Sequence, residues 1–413
     1  MNRYASPQGA FDLTRFPEDP NDQFRAWDAS DEYLLRHLAG DGDGGGGGDG
    51  DGAQPVDLSG TVVVLGDRWG ALSTAVTAAG STALATAPGG DPTTQITDSH
   101  LTQQATRANL KLNGLAQDAV RLLTTRDPPP ERIDLLLVRI PKSLALLEDQ
   151  LHRLAPSIHA GTVVIGTGMV TEIHTSTLQA FERILGPTRT SLAVKKARLI
   201  FCTPTLRGPD PELPAPTPAS RWPHSYALPS GIGAVSGLTV TNHAGIFSAE
   251  HLDIGTRFFL DHLPQGAATA HIVDLGCGNG VVGLAAALLN PRAQLTFLDE
   301  SYQAVASAEA TFRANTAPDR AARFLAADGL TDADPASVDL VLNNPPFHTH
   351  QATSDTTAWR MFSDSRRALR PGGELWVVGN RHLGYPVKLK RLFGNCDVVA
   401  SHPKFVVMRA VKR

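Results

Sequence analysis

The sequence contains few cysteines and no long apolar run. Among 413 residues there are three cysteines, Cys202, Cys277 and Cys396, and they lie far apart in the chain. This odd, scattered set excludes a disulfide framework and a zinc site built from paired cysteines. No apolar stretch approaches the roughly 18–20 residues that cross a bilayer, and residues 1–20 lack the apolar core of a secretory signal. We therefore expect a cytoplasmic protein with no membrane partner.

The sequence also lacks a clear metal-binding pattern. His348 and His350 lie two positions apart, but no acid or cysteine stands beside them at ligand spacing. Local hydrogen bonding explains such a pair equally well. We expect no bound metal.

The chain has little net charge, but that charge is unevenly distributed. The formal net charge is −4 at pH 7. Residues 1–57 include 4 basic and 12 acidic residues, whereas residues 360–413 include 12 basic and 3 acidic residues. A basic segment of this kind is typical of a polyanion-binding face, although a merely solvated surface has the same composition.

Two breaks divide the chain. Residues 40–52 are a tract of glycine and aspartate, which we interpret as a flexible insertion because no apolar position recurs as in calcium-binding repeats. Residues 208–237 begin with a proline-dense stretch that is typical of an interdomain linker. We therefore predict domains at residues 1–207 and 238–413.

Strand and helix patterns alternate in both halves, and the order is the same in each. In the second half, strands are predicted at residues 271–275, 295–298, 323–327, 338–342 and 374–378. In the first half, they are predicted at residues 61–65, 82–85, 133–138 and 162–165. The alternation predicts an α/β fold with two tandem Rossmann-like domains, each a doubly wound, mostly parallel seven-stranded sheet. We interpret the halves as a duplication in which the first copy is degenerate.

A glycine-rich loop follows the first strand of the second half. Asp274 precedes the alternating Gly276, Gly278 and Gly280, with Cys277 between them. Glycines let a backbone approach a ligand closely, and the following helix N-terminus attracts an anion. Dinucleotide enzymes use a different spacing, GxGxxG. The alternating pattern favours S-adenosylmethionine, although a dinucleotide or a bare turn stays open.

Acids follow the next two strands. Asp299 ends the second strand, where a carboxylate accepts hydrogen bonds from ribose hydroxyls, and the adjacent Glu300 can share that role. Asp328 and Gly329 follow the third strand, where they are placed to contact an adenine ring. A turn cap is the alternative for Asp328. Asp299 does not distinguish S-adenosylmethionine from a dinucleotide, because either cofactor carries a ribose.

The most informative motif follows the fourth strand. Asn343 is followed by Asn344, Pro345, Pro346 and Phe347. An exocyclic amine on a base is a poor nucleophile because its lone pair is delocalised into the ring. A carboxamide oxygen and a backbone carbonyl held by two prolines can accept the amine protons, while an aromatic ring stacks on the base. The motif therefore predicts methylation of a planar amine or amide nitrogen.

Together these motifs resemble the bacterial ribosomal RNA guanine-N2 methyltransferases, which carry a degenerate methyltransferase domain before the active one. The large-subunit enzymes are the closer match. Three further stretches support the resemblance: residues 25–35, residues 242–259 and residues 379–396. The resemblance implies direct transfer to N2 of a guanine in ribosomal RNA, most closely large-subunit (23S) RNA, without a covalent cysteine intermediate. It also implies that residues 238–263 help to form the base pocket.

The sequence leaves several alternative substrates and functions open. Small-subunit (16S) ribosomal RNA and the N6 amine of adenine are the alternative substrates, because the Asn-Pro-Pro-aromatic motif also occurs in adenine-N6 and glutamine-N5 methyltransferases. A nicotinamide oxidoreductase would use the same glycine loop and acid. A non-catalytic RNA-binding assembly factor would bind RNA without transferring a methyl group.

Basic residues predict where RNA binds. In the first half, residues 139–142 stand where the second half has its amine-binding motif, and two of them are cations. Cations suit phosphate rather than an amine donor, although a decayed domain can also persist only as a packing partner. The candidate phosphate ligands are Arg139, Lys142, Lys195, Lys196, Arg381, Lys388, Lys390 and Arg391. For the last three, a solvated helix face is the alternative.

Overall fold

The computed structural model describes residues 2–18, 24–41, 54–84, 92–205, 221–266, 271–346 and 351–413. The chain divides into two compact units, Met1–Arg221 and Trp222–Arg413. The predicted insertion at residues 40–52 and the proline-dense part of the linker lie almost wholly outside the described residues.

The first unit contains nine strands and five helices in its described part. The strands are β1 (Asn2–Ser6), β2 (Gly9–Leu13), β3 (Val62–Leu65), β4 (Thr93–Thr97), β5 (Val120–Thr124), β6 (Ile133–Arg139), β7 (Ile158–Met169), β8 (Thr188–Thr190) and β9 (Ala197–Cys202). The helices are α1 (Ala29–Leu38), α2 (Ala71–Leu84), α3 (His100–Leu112), α4 (Leu144–Leu154) and α5 (Thr175–Ile184).

The second unit likewise has nine strands and five helices in its described part. The strands are β10 (His224–Ala227), β11 (Thr239–Asn242), β12 (His271–Leu275), β13 (Gln294–Asp299), β14 (Arg323–Ala326), β15 (Val338–Asn343), β16 (Leu369–Asn380), β17 (Asp397–Ser401) and β18 (Phe405–Val411). The helices are α6 (Ile254–Leu260), α7 (Val281–Leu289), α8 (Tyr302–Asn315), α9 (Gln351–Ala368) and α10 (Tyr385–Phe393).

The two sheets have the same topology. Their strand orders are β5-β4-β3-β6-β7-β9-β8 and β14-β13-β12-β15-β16-β18-β17. In each sheet five neighbouring strands pair in parallel, and the last strand along the chain, β9 or β18, pairs antiparallel with both of its neighbours. A two-stranded hairpin and then a helix precede each sheet, β1–β2 with α1 and β10–β11 with α6. The predicted pair of doubly wound, seven-stranded domains is therefore confirmed.

Local sequence explains where the helices begin. Ser99, Ser143 and Ser301 each precede a helix, and each side chain accepts a hydrogen bond from a backbone amide in the first turn. Such caps satisfy amides that have no partner within the helix. Strand β3, at the centre of the first sheet, is apolar, and all four of its residues are buried, as expected for a strand covered on both faces.

The strand predicted at residues 82–85 is wrong. Residues 81–84 continue α2, and the second strand of the first sheet is β4. Alanine favours helix strongly enough to extend α2. The true strand was hidden by polarity, because its five residues Thr93–Thr97 are all buried although four are polar. The Gln95 amide nitrogen donates to Thr106 Oγ1 at 2.8 Å and to Ser73 Oγ at 3.0 Å, which offsets the cost of its burial.

The second unit begins earlier than the predicted boundary at residue 238. The hairpin strand β10 belongs to it, as does a 3-10 turn at Gly233–Val235. Leu228, Ile232 and Val235 are buried in the same core as the sheet residues of this unit. The segment from residue 222 onward is therefore part of a folded domain, and only the stretch before it connects the two units.

Candidate active site

The sequence-predicted residues of the second unit converge on one edge of its sheet. β12, β13 and β15 are parallel neighbours, so their carboxyl ends lie side by side. The strand order reverses between β12 and β15, and such a switch point forms a crevice at the carboxyl ends of an open α/β sheet. The glycine loop, Asp299 and the Asn-Pro-Pro motif all follow these strands.

The glycine loop is held by backbone hydrogen bonds and leaves one face open. The amides of Gly276 and Cys277 donate to the Leu298 carbonyl at 2.8 and 2.9 Å. Gly278 has φ 53°, and a side-chain carbon added there would meet no atom within 4 Å. Gly280 differs, because such a carbon would lie 2.7 Å from Ala308 Cα. Gly278 therefore leaves room for a ligand, whereas Gly280 allows α7 to pack against α8.

Two carboxyl groups lie behind and beside this loop. Asp274 is buried, and its Oδ2 accepts from the Gly283 amide at 2.8 Å. Burial raises the pKa of Asp274 to about 8. Asp299 accepts from the amides of Gly278 and Ser301, both at 3.0 Å, and burial also raises its pKa. Desolvated carboxyl groups without a paired cation favour a ligand that carries positive charge.

The other predicted cofactor residues occupy different environments. Glu300 is exposed, whereas Asp328 is buried. The Asp328 carboxylate forms an ion pair with the Arg360 guanidinium of α9. The sequence did not indicate this ion pair, and it engages Oδ1 of Asp328. Gly329 follows with φ 54°. The roles of Asp328 and Gly329 toward adenine stay predictions.

The Asn-Pro-Pro motif places two side-chain amides at the end of β15. Asn343 is fully buried, and its Nδ2 donates to the Leu275 carbonyl at 2.7 Å. Asn344 is half-buried, and its Nδ2 donates to Thr256 Oγ1 at 3.0 Å. Within the described ranges, Oδ1 of each amide is buried and has no hydrogen-bond partner. Pro345 is buried and Pro346 is exposed. Phe347, His348 and His350 lie outside the described residues.

An unpaired buried acceptor is costly unless a ligand completes it. The Asn344 oxygen is therefore the observation that most directly indicates a substrate with an N–H donor. Thr256 is the residue that sequence reasoning missed. Asp253 and Thr256 have the spacing of a helix N-cap and its third helical residue, a pattern that indicates where a helix begins but no chemistry.

The equivalent positions in the first unit have lost these features. Leu65 pairs with Val138 as Leu275 pairs with Asn343, so Arg139 stands where the second unit has Asn344. By the same register, Val64 replaces Asp274, Thr97 replaces Asp299 and Arg68 replaces Gly278. The packing glycine is retained, since a carbon added at Gly70 would lie 2.6 Å from Thr106 Cα.

An acid does follow the second strand of this half. Once the strand is placed at Thr93–Thr97, Asp98 follows it immediately. It stands one position beyond the equivalent of Asp299, and its Oδ1 accepts from Thr125 Oγ1 at 3.1 Å.

The prediction that Arg139 binds RNA phosphate is wrong. Its side chain is fully buried, with 0% of its surface exposed. It donates to Asp28 at 2.7 Å and to Glu172 at 2.9 Å, and its Nε lies 3.5 Å from Asp31. Burial raises the pKa of Asp31 to about 7. These acids neutralise the guanidinium inside the unit, so phosphate cannot reach it.

The other predicted phosphate ligands are on the surface to different degrees. Lys142, Lys196, Arg381, Lys390 and Arg391 are exposed. Lys195 is also exposed, and it forms an ion pair with Glu32 at 3.0 Å. Lys388 is half-buried over the Tyr385 ring. Phosphate contact by these residues stays a prediction.

The described part of the chain holds no group of three or more histidine, cysteine or acidic residues placed to bind a metal. None of its helices combines the length and apolar character that crossing a bilayer requires.

Known proteins and family models match the whole chain. The RLMG N-terminal domain matches residues 1–206, and the methyltransferase small domain matches residues 237–409. Ribosomal RNA large subunit methyltransferase G of Streptomyces griseus is 63% identical over 413 residues, covering 100% of both chains. Its namesake from Streptomyces avermitilis is 64% identical, covering 99% of this chain and 98% of its own. A solved structure of the T. thermophilus 16S rRNA N2 methyltransferase with AdoMet and guanosine has a TM-score of 0.69 at 19% identity, covering 100% of this chain and 98% of its own.

Proposed function

Because the chain belongs to the ribosomal RNA large subunit methyltransferase G family, we propose that it methylates the exocyclic N2 amine of a guanine in large-subunit ribosomal RNA. The methyl donor is S-adenosylmethionine. We expect the reaction to take place in the cytoplasm, where ribosomal RNA is assembled into ribosomal subunits.

The single observation that carries the proposal is Oδ1 of Asn344, which is buried and has no hydrogen-bond partner among the described residues. We expect it to accept a hydrogen bond from the target amine and so to turn the nitrogen lone pair toward the methyl donor. The Pro345 and Pro346 rings restrict the backbone that follows, which holds the neighbouring carbonyl groups in place. The guanine must be unpaired or flipped, because its amine is inaccessible inside a paired stack.

The residues around the glycine loop fit S-adenosylmethionine. When bound, this cofactor supplies an electrophilic methyl group on a sulfonium centre. Asp274 is placed to pair with the amino group of its methionine portion, and Asp299 to accept from its ribose hydroxyls. Gly278 leaves the space that such a ligand needs. Cys277 is buried, and burial raises the pKa of its thiol well above the ordinary value, so it is a poor nucleophile.

A cationic rim beside Asn344 supplies the RNA contacts of the second unit. The rim consists of Arg257, Arg381 and Lys404, all exposed. Arg257 follows Thr256 on α6. The ring of its neighbour Phe258 lies 5.5 Å from that of His402, and the Arg381 amide donates to the Lys404 carbonyl at 3.0 Å.

The rim is free to bind an anion. Arg381 Nη1 donates to Ser401 Oγ at 3.0 Å. In the part of the chain that the structure describes, none of the three rim side chains forms an ion pair with a carboxylate. Their charge is therefore available to phosphates that flank the target base.

The test is methyl transfer from labelled S-adenosylmethionine to unmethylated large-subunit ribosomal RNA, followed by nucleoside analysis. We expect N2-methylguanosine at one position. Small-subunit RNA in parallel tests the alternative substrate, and N6-methyladenosine as product would contradict the guanine assignment. Asn344→Ala should lower turnover roughly a hundredfold and leave cofactor affinity within about threefold, because the cofactor rests on the glycine loop. RNA binding without any transfer would indicate a non-catalytic factor.

A further inference from the structure

α6 fixes the orientation of the Asn344 amide. The Thr256 hydroxyl donates its single proton to Asp253 Oδ2 at 3.2 Å, so toward Asn344 it acts only as an acceptor. The amide must therefore present Nδ2 to Thr256, at 3.0 Å, and leave Oδ1 free. Asp253 is itself held, because Oδ2 also accepts from the Thr256 backbone amide at 2.8 Å.

The first unit has the same arrangement with different chemistry. α1 and α6 occupy equivalent places, each between a hairpin and the first strand of its sheet. Asp28 and Asp253 are their N-caps, and Asp31 and Thr256 are their third helical residues. In the first unit these two positions hold Arg139, at 2.7 Å from Asp28 and 3.5 Å from Asp31. In both units, the helix start thus contacts the register-equivalent residue at the carboxyl end of the fourth strand, Arg139 or Asn344.

The two contacts differ in a complementary way. Where the residue at the strand end is a cation, Arg139, the third helical residue is a carboxylate, Asp31. Where that residue is an amide, the third helical residue is a hydroxyl, which accepts a hydrogen bond without adding charge. The N-cap aspartate is present in both. The helix start is therefore matched to the chemistry of the residue that it holds.

We propose that Asp253 and Thr256 are positioning residues for methyl transfer, and this inference rests on the proposed function. They hold Asn344 with its oxygen toward the target amine. Without the hydroxyl acceptor, the amide is free to rotate by half a turn and to present its NH₂ group to the substrate amine, which is also a donor. The contribution acts on the orientation of a catalytic group and not on cofactor or RNA binding.

The first experiment compares Thr256→Val with Thr256→Ser in the full-length protein. Valine keeps the shape of threonine but removes the hydroxyl, whereas serine keeps the hydroxyl. Thr256→Val should lower kcat roughly tenfold to a hundredfold, with KM for ribosomal RNA and Kd for S-adenosylmethionine within about twofold. Thr256→Ser should retain kcat within about threefold. Equal kcat values for the two variants would overturn the inference, as would a loss confined to KM or Kd.

A second experiment does not depend on activity. Thr256→Asp, Asn344→Arg and the double variant Thr256→Asp/Asn344→Arg are compared with the wild type by thermal unfolding. The double variant reproduces the pair found in the first unit, so it should melt at a higher temperature than Asn344→Arg alone. Independent, additive effects would overturn the contact between these two positions. A wild-type protein that transfers no methyl group would instead contradict the proposed function, whatever the melting result.

Discussion

Asp274 carries the clearest pH dependence among single residues. Its pKa of about 8 means that the free protein holds it mostly protonated at pH 7. If its carboxylate pairs with the ammonium group of S-adenosylmethionine, binding must release that proton. Affinity should therefore rise with pH between about 6 and 7.5, by at most about tenfold per unit.

Calorimetry in buffers of different ionisation enthalpy measures this proton release. Asp274→Asn is a suitable control, because an amide resembles the protonated acid and still accepts from the Gly283 amide. The variant should bind the cofactor more weakly and release fewer protons at pH 7. Any release that remains is assigned to Asp299, whose pKa is also raised. Identical proton release from wild type and variant would exclude Asp274 as the source.

At the level of elements, two of the three rim cations lie on neighbouring parts of the second unit, Arg257 on α6 and Lys404 in the turn between β17 and β18. The double variant Arg257→Ala/Lys404→Ala removes two rim cations without removing the Arg381 hydrogen bonds. Each lost phosphate contact should reduce the salt slope of single-stranded RNA binding by about 0.7, which gives about 1.4 for the pair. RNA affinity at low salt should fall about tenfold, while cofactor affinity stays unchanged.

The matched control is Arg292→Ala/Arg323→Ala. Arg292 lies just before β13, and Arg323 is the first residue of β14. Both are exposed, and both lie at the amino ends of the strands, which is the opposite edge of the sheet from the rim. This double variant removes the same charge from the same unit as the rim variant does. Its RNA affinity and the salt slope of its RNA binding should stay at wild-type values. If the rim variant and the control variant show the same salt slope of RNA binding, the rim cations do not contact phosphate.

At the scale of the whole molecule, the two units should differ in cofactor binding. The first unit has Arg68 in place of the open glycine, Thr97 in place of Asp299 and a buried ion cluster around Arg139. A bulky residue in the loop blocks close approach of a ligand to the backbone. Titration calorimetry should find one S-adenosylmethionine per chain. Two equivalent sites would mean that the first unit is not degenerate.

The first unit is expected to recruit RNA. Residues 107–207 contain 14 basic and 8 acidic residues, and Lys142, Lys195 and Lys196 are exposed even though Arg139 is not. The fragment 222–413 keeps the hairpin whose residues complete its core, so it is the appropriate truncation. It should bind cofactor normally but RNA at least about tenfold more weakly and with a shallower salt dependence. Equal RNA affinity would make the first unit a packing partner only.

The duplicated α/β order, the glycine loop and the Asn-Pro-Pro motif can all be recognised from the sequence alone. It also predicted the family, which the relatives confirm over the full chain. These features are local: glycine and proline restrict their own backbone, and apolar periodicity is written within one element. Asp274, Asp299 and Asn344 could be selected as site candidates because each lies at or next to the end of a predicted strand, and the carboxyl ends of parallel strands meet at one edge of a sheet.

Contacts between residues that are distant in sequence become visible only in the tertiary structure. Thr256 bonds Asn344 across 88 positions, and Asp28 bonds Arg139 across 111. Strand β4 was unrecognisable because its polar side chains are satisfied by helices that pack on it, and Arg139 was misread because its neutralising acids are remote in sequence. Burial and pairing depend on contacts between elements, so a residue's own sequence neighbourhood does not reveal whether its charge faces solvent or another side chain.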